Sequence, residues 1–303
     1  MKVPNIEIPI VRIPLDKKVE LYIKREDQIH PEISGNKYWK LFFNINKYLG
    51  KNPKNKRIIT FGGAYSNHIA AVAALGKEYQ IPTLGIIRGE ELHSQFLENS
   101  TLKLAHQNEM DFRFVDRNTY REKEEMLQKL QLEFPDALLI PEGGTNANAI
   151  EGVRYMLGNQ TKSFDYLCTA VGTGGTVAGI SKFGEPNQKV LGFKVVKDDS
   201  LLHRIFEFSG RKNVTLLEAH DGKYGKITDE NVAFIQNFWQ QIGIPLDPIY
   251  TGKMMRHLFD LINENYFPEG SRILAFHTGG LQGIEGANQF LKKQNRTQIN
   301  IPH

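Results

Sequence analysis

Cysteine is almost absent from this chain: Cys168 stands alone among 303 residues. An internal disulfide framework and a thiolate metal cluster are excluded, and a reducing compartment is expected, with the cytoplasm as the default. Long apolar runs are missing too. None reaches the roughly 18 residues that a membrane-spanning helix takes. The stretch from Met1 to Leu15 is broken by Pro4, Pro9 and Pro14 and offers no uninterrupted apolar segment of the kind a signal peptide carries. Neither a leader nor a membrane partner is expected. Charge of one sign never gathers. The formal net charge is +4, with Lys and Arg scattered, so neither a nucleic-acid arm nor a polybasic lipid patch forms, and only a mild preference for anionic small molecules follows. There is no Pro/Ser-rich linker and no internal repeat. His-Glu-x-x-His and Gly-x-Ser-x-Gly are both missing, which counts against a zinc hydrolase and an elbow-type serine hydrolase.

What is present is ordinary in amount and ordered in arrangement. Hydrophobic residues make up 40% and charged residues 24%, enough for a sizeable core in one or two domains. From Arg57 onward short apolar runs alternate with longer amphipathic stretches, the pattern of an α/β chain with buried parallel strands. Strands are expected at Ile58–Phe61, Thr83–Ile87, Phe112–Val115, Ala137–Ile140, Tyr166–Ala170, Val190–Val195, Val214–Leu217 and Ile273–Phe276. Cys168 falls inside one of them and is read as packed core. Three strand-to-helix junctions carry more glycine than a routine turn needs: RIIT into FGGAYSNH, YLCTA into VGTGGTVAG, and RILAF into HTGGLQG. In open α/β sheets ligands bind beyond the carboxyl ends of strands, where helix N-termini present free N–H groups.

The densest junction is Gly172-Thr173-Gly174-Gly175-Thr176. Glycines let backbone amides approach an oxyanion and the threonines add hydroxyl donors, so a phosphate suits it, although a tight turn explains the glycines equally well. A dinucleotide fingerprint would need glycine where Val177 stands, and a phosphate loop of the Walker type would need lysine where Ile180 stands. Both fail, which leaves a phosphorylated metabolite or a phosphate-bearing cofactor. In the junction before His68, Ser66 or Asn67 suits a helix N-cap, and the same hydroxyl, carboxamide and free amides suit a carboxylate. Residue types alone do not separate these.

A lysine in SGNKYWKL joins the picture. Lys37 lies between Ser-Gly-Asn and Tyr38-Trp39, with Lys24, Arg25 and Lys40 close by in sequence. Burial and cationic neighbours depress a lysine's pKa. The phosphate cofactor that also takes a lysine amine is pyridoxal 5′-phosphate.

Six ordered stretches, LYIKREDQIHPEISGNKYWKL, FGGAYSNH, PEGGTNANAIEG, VGTGGTVAG, DPIYTGKMM and PEGSRILAFHTGG, resemble the 1-aminocyclopropane-1-carboxylate deaminase and D-cysteine desulfhydrase family of pyridoxal phosphate enzymes. The resemblance runs from Leu21 to Gly283. It implies the fold-type II, tryptophan synthase β-like architecture: two open twisted-sheet α/β domains, a large one over residues 1–37 and 146–303 and a small one inserted over 38–145, with the cofactor in the cleft between. It also implies Lys37 as the Schiff-base lysine, Asn67 as partner of the cofactor's ring hydroxyl, and Gly172, Thr173, Gly174, Gly175 and Thr176 as phosphate cradle. Ser66 falls on the family's active-site serine, and Ser66, Asn67 and His68 would take the substrate carboxylate. Tyr250 matches the catalytic tyrosine. Tyr224 resembles a tyrosine of a Gly-Tyr-Gly turn, with Lys223 in place of the first glycine. Relatives are commonly homodimers, so the same is implied here, with a small amino acid as substrate.

Two positions separate the family's activities. The ring-opening deaminases carry glutamate after the catalytic tyrosine and leucine in the final His-x-Gly-Gly turn; here Thr251 and Thr278 stand there. A carboxylate facing the pyridine nitrogen makes the ring a strong electron sink, whereas a threonine hydroxyl is a weaker partner, sufficient for β-elimination. Thr278 is the expected nitrogen contact, with Thr251 beside the substrate. The expected reaction is α,β-elimination, D-cysteine to pyruvate, ammonia and hydrogen sulfide. The alternatives are ring opening of 1-aminocyclopropane-1-carboxylate to 2-oxobutyrate and ammonia, and a silent binder of a phosphorylated metabolite.

Overall fold

The structure, a computed structural model, describes Met1, Val3, Pro4 and residues 6–302. Among the described residues ten strands form two sheets. The four-stranded sheet comes from β3 (Ile58–Gly62), β4 (Thr83–Arg88), β5 (Met110–Val115) and β6 (Leu138–Ile140), ordered β5-β4-β3-β6 and parallel throughout. The six-stranded sheet, ordered β1-β2-β10-β7-β8-β9, contains β1 (Ile10–Ile13), β2 (Glu20–Lys24), β7 (Tyr166–Val171), β8 (Lys189–Lys194), β9 (Val214–Glu218) and β10 (Arg272–Phe276). Only β1 runs antiparallel, Ile10 opposite Lys24 and Ile13 opposite Leu21. Every expected strand forms, with shifts of a residue or two at the ends. β1 and β2 were not anticipated.

Parallel strands covered on both faces read as unbroken apolar runs, and β3 and β7 are buried at every position. The covering helices are α1 (Asn36–Gly50), α2 (Asn67–Tyr79), α3 (Ser100–Gln107), α4 (Lys123–Glu133), α5 (Ala147–Val153), α6 (Gly175–Phe183), α7 (Leu201–Ser209), α8 (Asp229–Ile242), α9 (Thr251–Asn263) and α10 (Gly283–Lys293). One core joins Ile58, Ile69 and Val72 to Leu41, Ile45, Leu167 and Leu274 and so reaches both sheets. A second joins Cys168, Ala275 and Met254 on the far side of the six-stranded sheet. Cys168 is wholly buried there, and burial pushes its thiol pKa upward. No helix among the described residues is long and apolar enough to cross a membrane.

Both sheets reverse their winding once, and the reversals locate the site. In the six-stranded sheet β8 and β9 add on one side of β7 and β10 on the other; in the four-stranded sheet β4 and β5 add on one side of β3 and β6 on the other. The loops leaving β7 and β10, and those leaving β3 and β6, therefore flank crevices of the kind where α/β sheets bind ligands. Three of these four loops are the glycine-rich junctions; the fourth is Pro141–Asn146.

Candidate active site

Close glycine packing shows that the loops meet. Gly35, at φ 64°, precedes α1, and a Cβ on it would stand 2.0 Å from the carbonyl oxygen of Thr278. Only glycine fits there. A Cβ on Gly280 would stand 2.5 Å from Asn67 Nδ2, and one on Gly172 3.3 Å from the Tyr250 ring. Asn36 Nδ2 donates to Thr176 Oγ1 at 2.7 Å, and Gln282 Nε2 donates to Asn67 Oδ1 at 2.9 Å. These contacts draw the start of α1, the β3 loop, the β7 loop, the β10 loop and Tyr250 into one cleft. The residues singled out from the sequence are assembled there, with one qualification at Thr251.

Lys37 is the second residue of α1, and its Nζ donates to Asn36 Oδ1 at 3.0 Å. Its amine is thus one side chain away from Thr176 of the glycine turn. Burial brings its pKa down to about 8, with the Asp247 carboxylate pulling the other way. A free amine at near-neutral pH is what attack on an aldehyde requires.

Lys40 is a functional candidate that the sequence reading left as a mere neighbour. Its Nζ donates to the Gly143 carbonyl and, at 2.9 Å, to Thr145 Oγ1, which lies 2.6 Å from Thr173 Oγ1. A Cβ on Gly175 would approach it to 3.1 Å. The side chain is 2% exposed and pairs with no carboxylate among the described residues. Burial, then the charge of Lys37, holds its pKa well below the ordinary lysine range. Gly174 at φ 89° opens α6, whose first residue, Gly175, lies against Thr145 and the Lys40 amine. A buried amine with no carboxylate against it, two hydroxyls and the free N–H groups of a helix start fit a phosphate dianion. Residues three apart on a helix share a face, so Lys40 was detectable from Lys37.

Ser66 caps α2, its Oγ accepting from Ile69 N–H at a long 3.4 Å. The capping role is therefore real and weak, and the hydroxyl proton stays available. His68 has a fixed tautomer. Thr60 Oγ1 donates to the Ile140 carbonyl at 2.9 Å, so it accepts from His68 Nε2–H at 2.8 Å. Burial, reinforced by Lys37 and Lys40, keeps this imidazole neutral. Its Nδ1 has no partner among the described residues and faces the Gly144 turn.

Tyr250 and Tyr224 share a hydrogen bond of 2.9 Å between their hydroxyls. Burial raises the Tyr250 phenol pKa strongly, and that of Tyr224, enclosed around its ring though 43% exposed as a residue, moves the same way, so the pair stays protonated at neutral pH. Thr251 is wholly buried and its hydroxyl is already engaged. It donates to Asp247 Oδ1 at 2.7 Å and accepts from Asp247 N–H at 2.9 Å. The Thr278 hydroxyl, by contrast, has no hydrogen-bond partner among the described residues. Asp247 escaped the sequence reading. Its carboxylate also accepts from the N–H groups of Ile249, Tyr250 and Thr251 and so fixes the backbone under Tyr250. An Asp ahead of a helix start was its only signal. His277 braces the β10 turn: its Nε2 lies 2.6 Å from the Pro245 carbonyl, and its Nδ1 accepts from Gly279 N–H at 3.3 Å.

The chain matches the model of the pyridoxal-phosphate-dependent enzyme family over residues 4–279. It belongs to that family. A Pyrococcus horikoshii protein provisionally named a 1-aminocyclopropane-1-carboxylate deaminase is 30% identical over 93% of each chain. The Arabidopsis thaliana bifunctional D-cysteine desulfhydrase/1-aminocyclopropane-1-carboxylate deaminase is 29% identical, covering 89% of this chain and 74% of its own. A crystal structure of an ACC deaminase homologue superposes with a TM-score of 0.79 at 28% identity, over 94% of this chain and 93% of that one. The enzyme's own residues fit the cofactor: an amine of lowered pKa at Lys37, and a phosphate-shaped cradle around Lys40.

Two outcomes follow for the pyridoxal-phosphate enzyme. Cofactor uptake by the cofactor-free protein, read by visible absorbance, climbs about tenfold per pH unit up to about 8 and then levels, because only the neutral amine reacts. An uptake rate still rising beyond about pH 10 would mark Lys37 as an ordinary lysine. Lys40→Met weakens cofactor affinity by about 10- to 100-fold in equilibrium titration, the worth of one hydrogen bond to a charged group. Unchanged affinity would remove Lys40 from the cradle.

Proposed function

We propose that the enzyme catalyses α,β-elimination on a small amino acid, D-cysteine first, giving pyruvate, ammonia and hydrogen sulfide. The observation that carries this is the neutralisable Lys37 amine in the same cleft as a protonated Tyr250–Tyr224 pair and a free threonine hydroxyl, Thr278. The name of the Arabidopsis relative, which pairs the desulfhydrase with the deaminase activity, supports the same class. In this reading the large and small units divide after Lys37 and near Asn146, and the cleft between the two sheets holds the chemistry.

Gly172 to Thr176 with Lys40 hold the phosphate, Asn67 the ring hydroxyl and Thr278 the ring nitrogen. When bound, the cofactor supplies the electron sink that stabilises negative charge at Cα. Ser66, with the amides that begin α2, binds the substrate carboxylate. Lys37 takes the Cα proton, since its lowered pKa suits a base working near neutrality. Tyr250, kept protonated by burial, gives its proton to the departing sulfur, and Tyr224 holds it in place. Thr251 acts at one remove, through Asp247 and the backbone it fixes.

The second reading, ring opening of 1-aminocyclopropane-1-carboxylate, is favoured by the provisional name of the Pyrococcus relative. Purified enzyme incubated with D-cysteine, L-cysteine, β-chloro-D-alanine and 1-aminocyclopropane-1-carboxylate separates the two, since elimination yields pyruvate and ring opening yields 2-oxobutyrate. Production of 2-oxobutyrate alone would overturn the elimination reading.

A further inference from the structure

Arg88 ends β4 at the same sheet edge that carries the Gly62–Asn67 loop. Its Nη2 lies 3.5 Å from where a Cβ on Gly63 would stand, and apart from Gly63 and its two chain neighbours no other heavy atom comes within 4 Å of that point. The guanidinium therefore overhangs open space next to the loop that leads into Ser66. Its Cζ is 5.6 Å from the centre of the Tyr120 ring. Among the described residues no carboxylate pairs with it. The nearby acids are taken: Glu142 by Lys123 at 2.6 Å and Glu91 by Arg117 at 3.2 Å. Its charge is felt at Tyr224, where it partly opposes the upward push of burial. Tyr224 in turn touches Tyr250. An unpaired fork-shaped cation thus sits at an open rim, beside the loop that leads into Ser66.

Small neutral leaving groups make no use of such a group. Guanidinium planes match carboxylate, sulfonate and phosphate oxygens two at a time. We propose that Arg88 forms an anion subsite that selects amino acids carrying a second negative charge on the β-substituent, a proposal that rests on the elimination reading. With O-phosphoserine the step balances without an oxidant. The Cα–H and Cβ–O bonds break, the proton passes to the Lys37 amine, the electron pair of the Cβ–O bond leaves with phosphate, and water completes the conversion to pyruvate and ammonia.

The test compares O-phosphoserine with β-chloroalanine, each as both enantiomers, on holoenzyme and on Arg88→Gln. The readout is the ratio of the two kcat/KM values, which cancels any general loss of folded enzyme. Arg88→Gln is expected to lower the phosphoserine-to-chloroalanine ratio by about 10- to 100-fold, chiefly through KM, and Arg88→Lys is expected to recover part of it. Added salt should shrink the wild-type ratio, because the guanidinium is exposed. An unchanged ratio overturns the subsite. If neither compound yields pyruvate, the elimination reading fails. The subsite is then still decided by titrating O-phosphoserine against the cofactor's absorbance: a weaker Kd in Arg88→Gln supports it and an equal Kd removes it.

Discussion

Lys37→Ala gives a folded enzyme that turns over its amino-acid substrate about 10²- to 10⁴-fold more slowly, the range that a positioned general base contributes. The loss is in chemistry because the surrounding frame does not depend on the amine. Gly35 seats against Thr278, Asn36 bonds Thr176, and Trp39 is anchored elsewhere, so α1 keeps its place without the lysine. Removing a buried amine also removes the desolvation that lowered its pKa to about 8, so the thermal midpoint should stay level or rise. Borohydride treatment of the wild-type holoenzyme should fix the cofactor to the peptide carrying Lys37, and the alanine variant should carry no such label. Lys40 makes the internal control. It lies on the same helical face and is the more deeply buried of the two, yet Lys40→Met is expected to weaken cofactor binding and leave the label at Lys37. A label at Lys40 instead would exchange the two roles and undo the mechanism.

The parts of the site that were legible in the sequence are those written locally. A parallel strand covered on both faces spells itself as a short apolar run, and a backbone that must approach a ligand spells itself as glycine. The strands β3 to β10 and three of the four loops were therefore visible from residue types. β1 and β2 were not, because β1 is an edge strand and both contain charged residues, Arg12 in one and Glu20 and Lys24 in the other, with Pro14, Asp16, Lys17 and Lys18 between them. Lys24 is charged and still 2% exposed, since its partner Glu26 is buried beside it. Such a residue reads as surface until its partner is known. The partners are as hard to read: the Lys40–Thr145 and Asn36–Thr176 bonds span 105 and 140 residues, so although Lys40 can be marked from Lys37 on the same helical face, the groups it and Thr176 bind cannot. Thr251 shows the reverse. It was marked by comparison with relatives as a substrate neighbour, and its hydroxyl is committed to an aspartate four residues earlier, a local bond that the residue types permitted all along.

Glu26→Ala should destabilise the enzyme by about 3–5 kcal/mol, the cost of leaving one member of a buried ion pair unopposed. Lys24 and Glu26 are 2% and 0% exposed and in direct contact, and the second Glu26 oxygen accepts from Trp39 Nε1–H at 2.7 Å. Burial pushes the Glu26 carboxyl pKa up while the Lys24 charge pulls it down, so the group holds its place only because two donors surround it. The alanine leaves an ammonium in the core and an indole N–H without an acceptor. Urea melting should show the midpoint falling with little change in slope. Replacing both charges, Lys24→Met with Glu26→Leu, should recover most of the loss, because a packed apolar pair avoids the desolvation that the ions incur. What it should not recover is the Trp39 hydrogen bond, and Trp39 stands two residues beyond Lys37 on α1. The double variant is therefore expected to melt near the wild type while losing several-fold in kcat, the pattern of a misplaced amine in a sound fold. A Glu26→Ala protein that melts with the wild type would mean that water reaches Lys24. Full kcat in the double variant would show that the aromatic side of α1 takes no part in aiming Lys37.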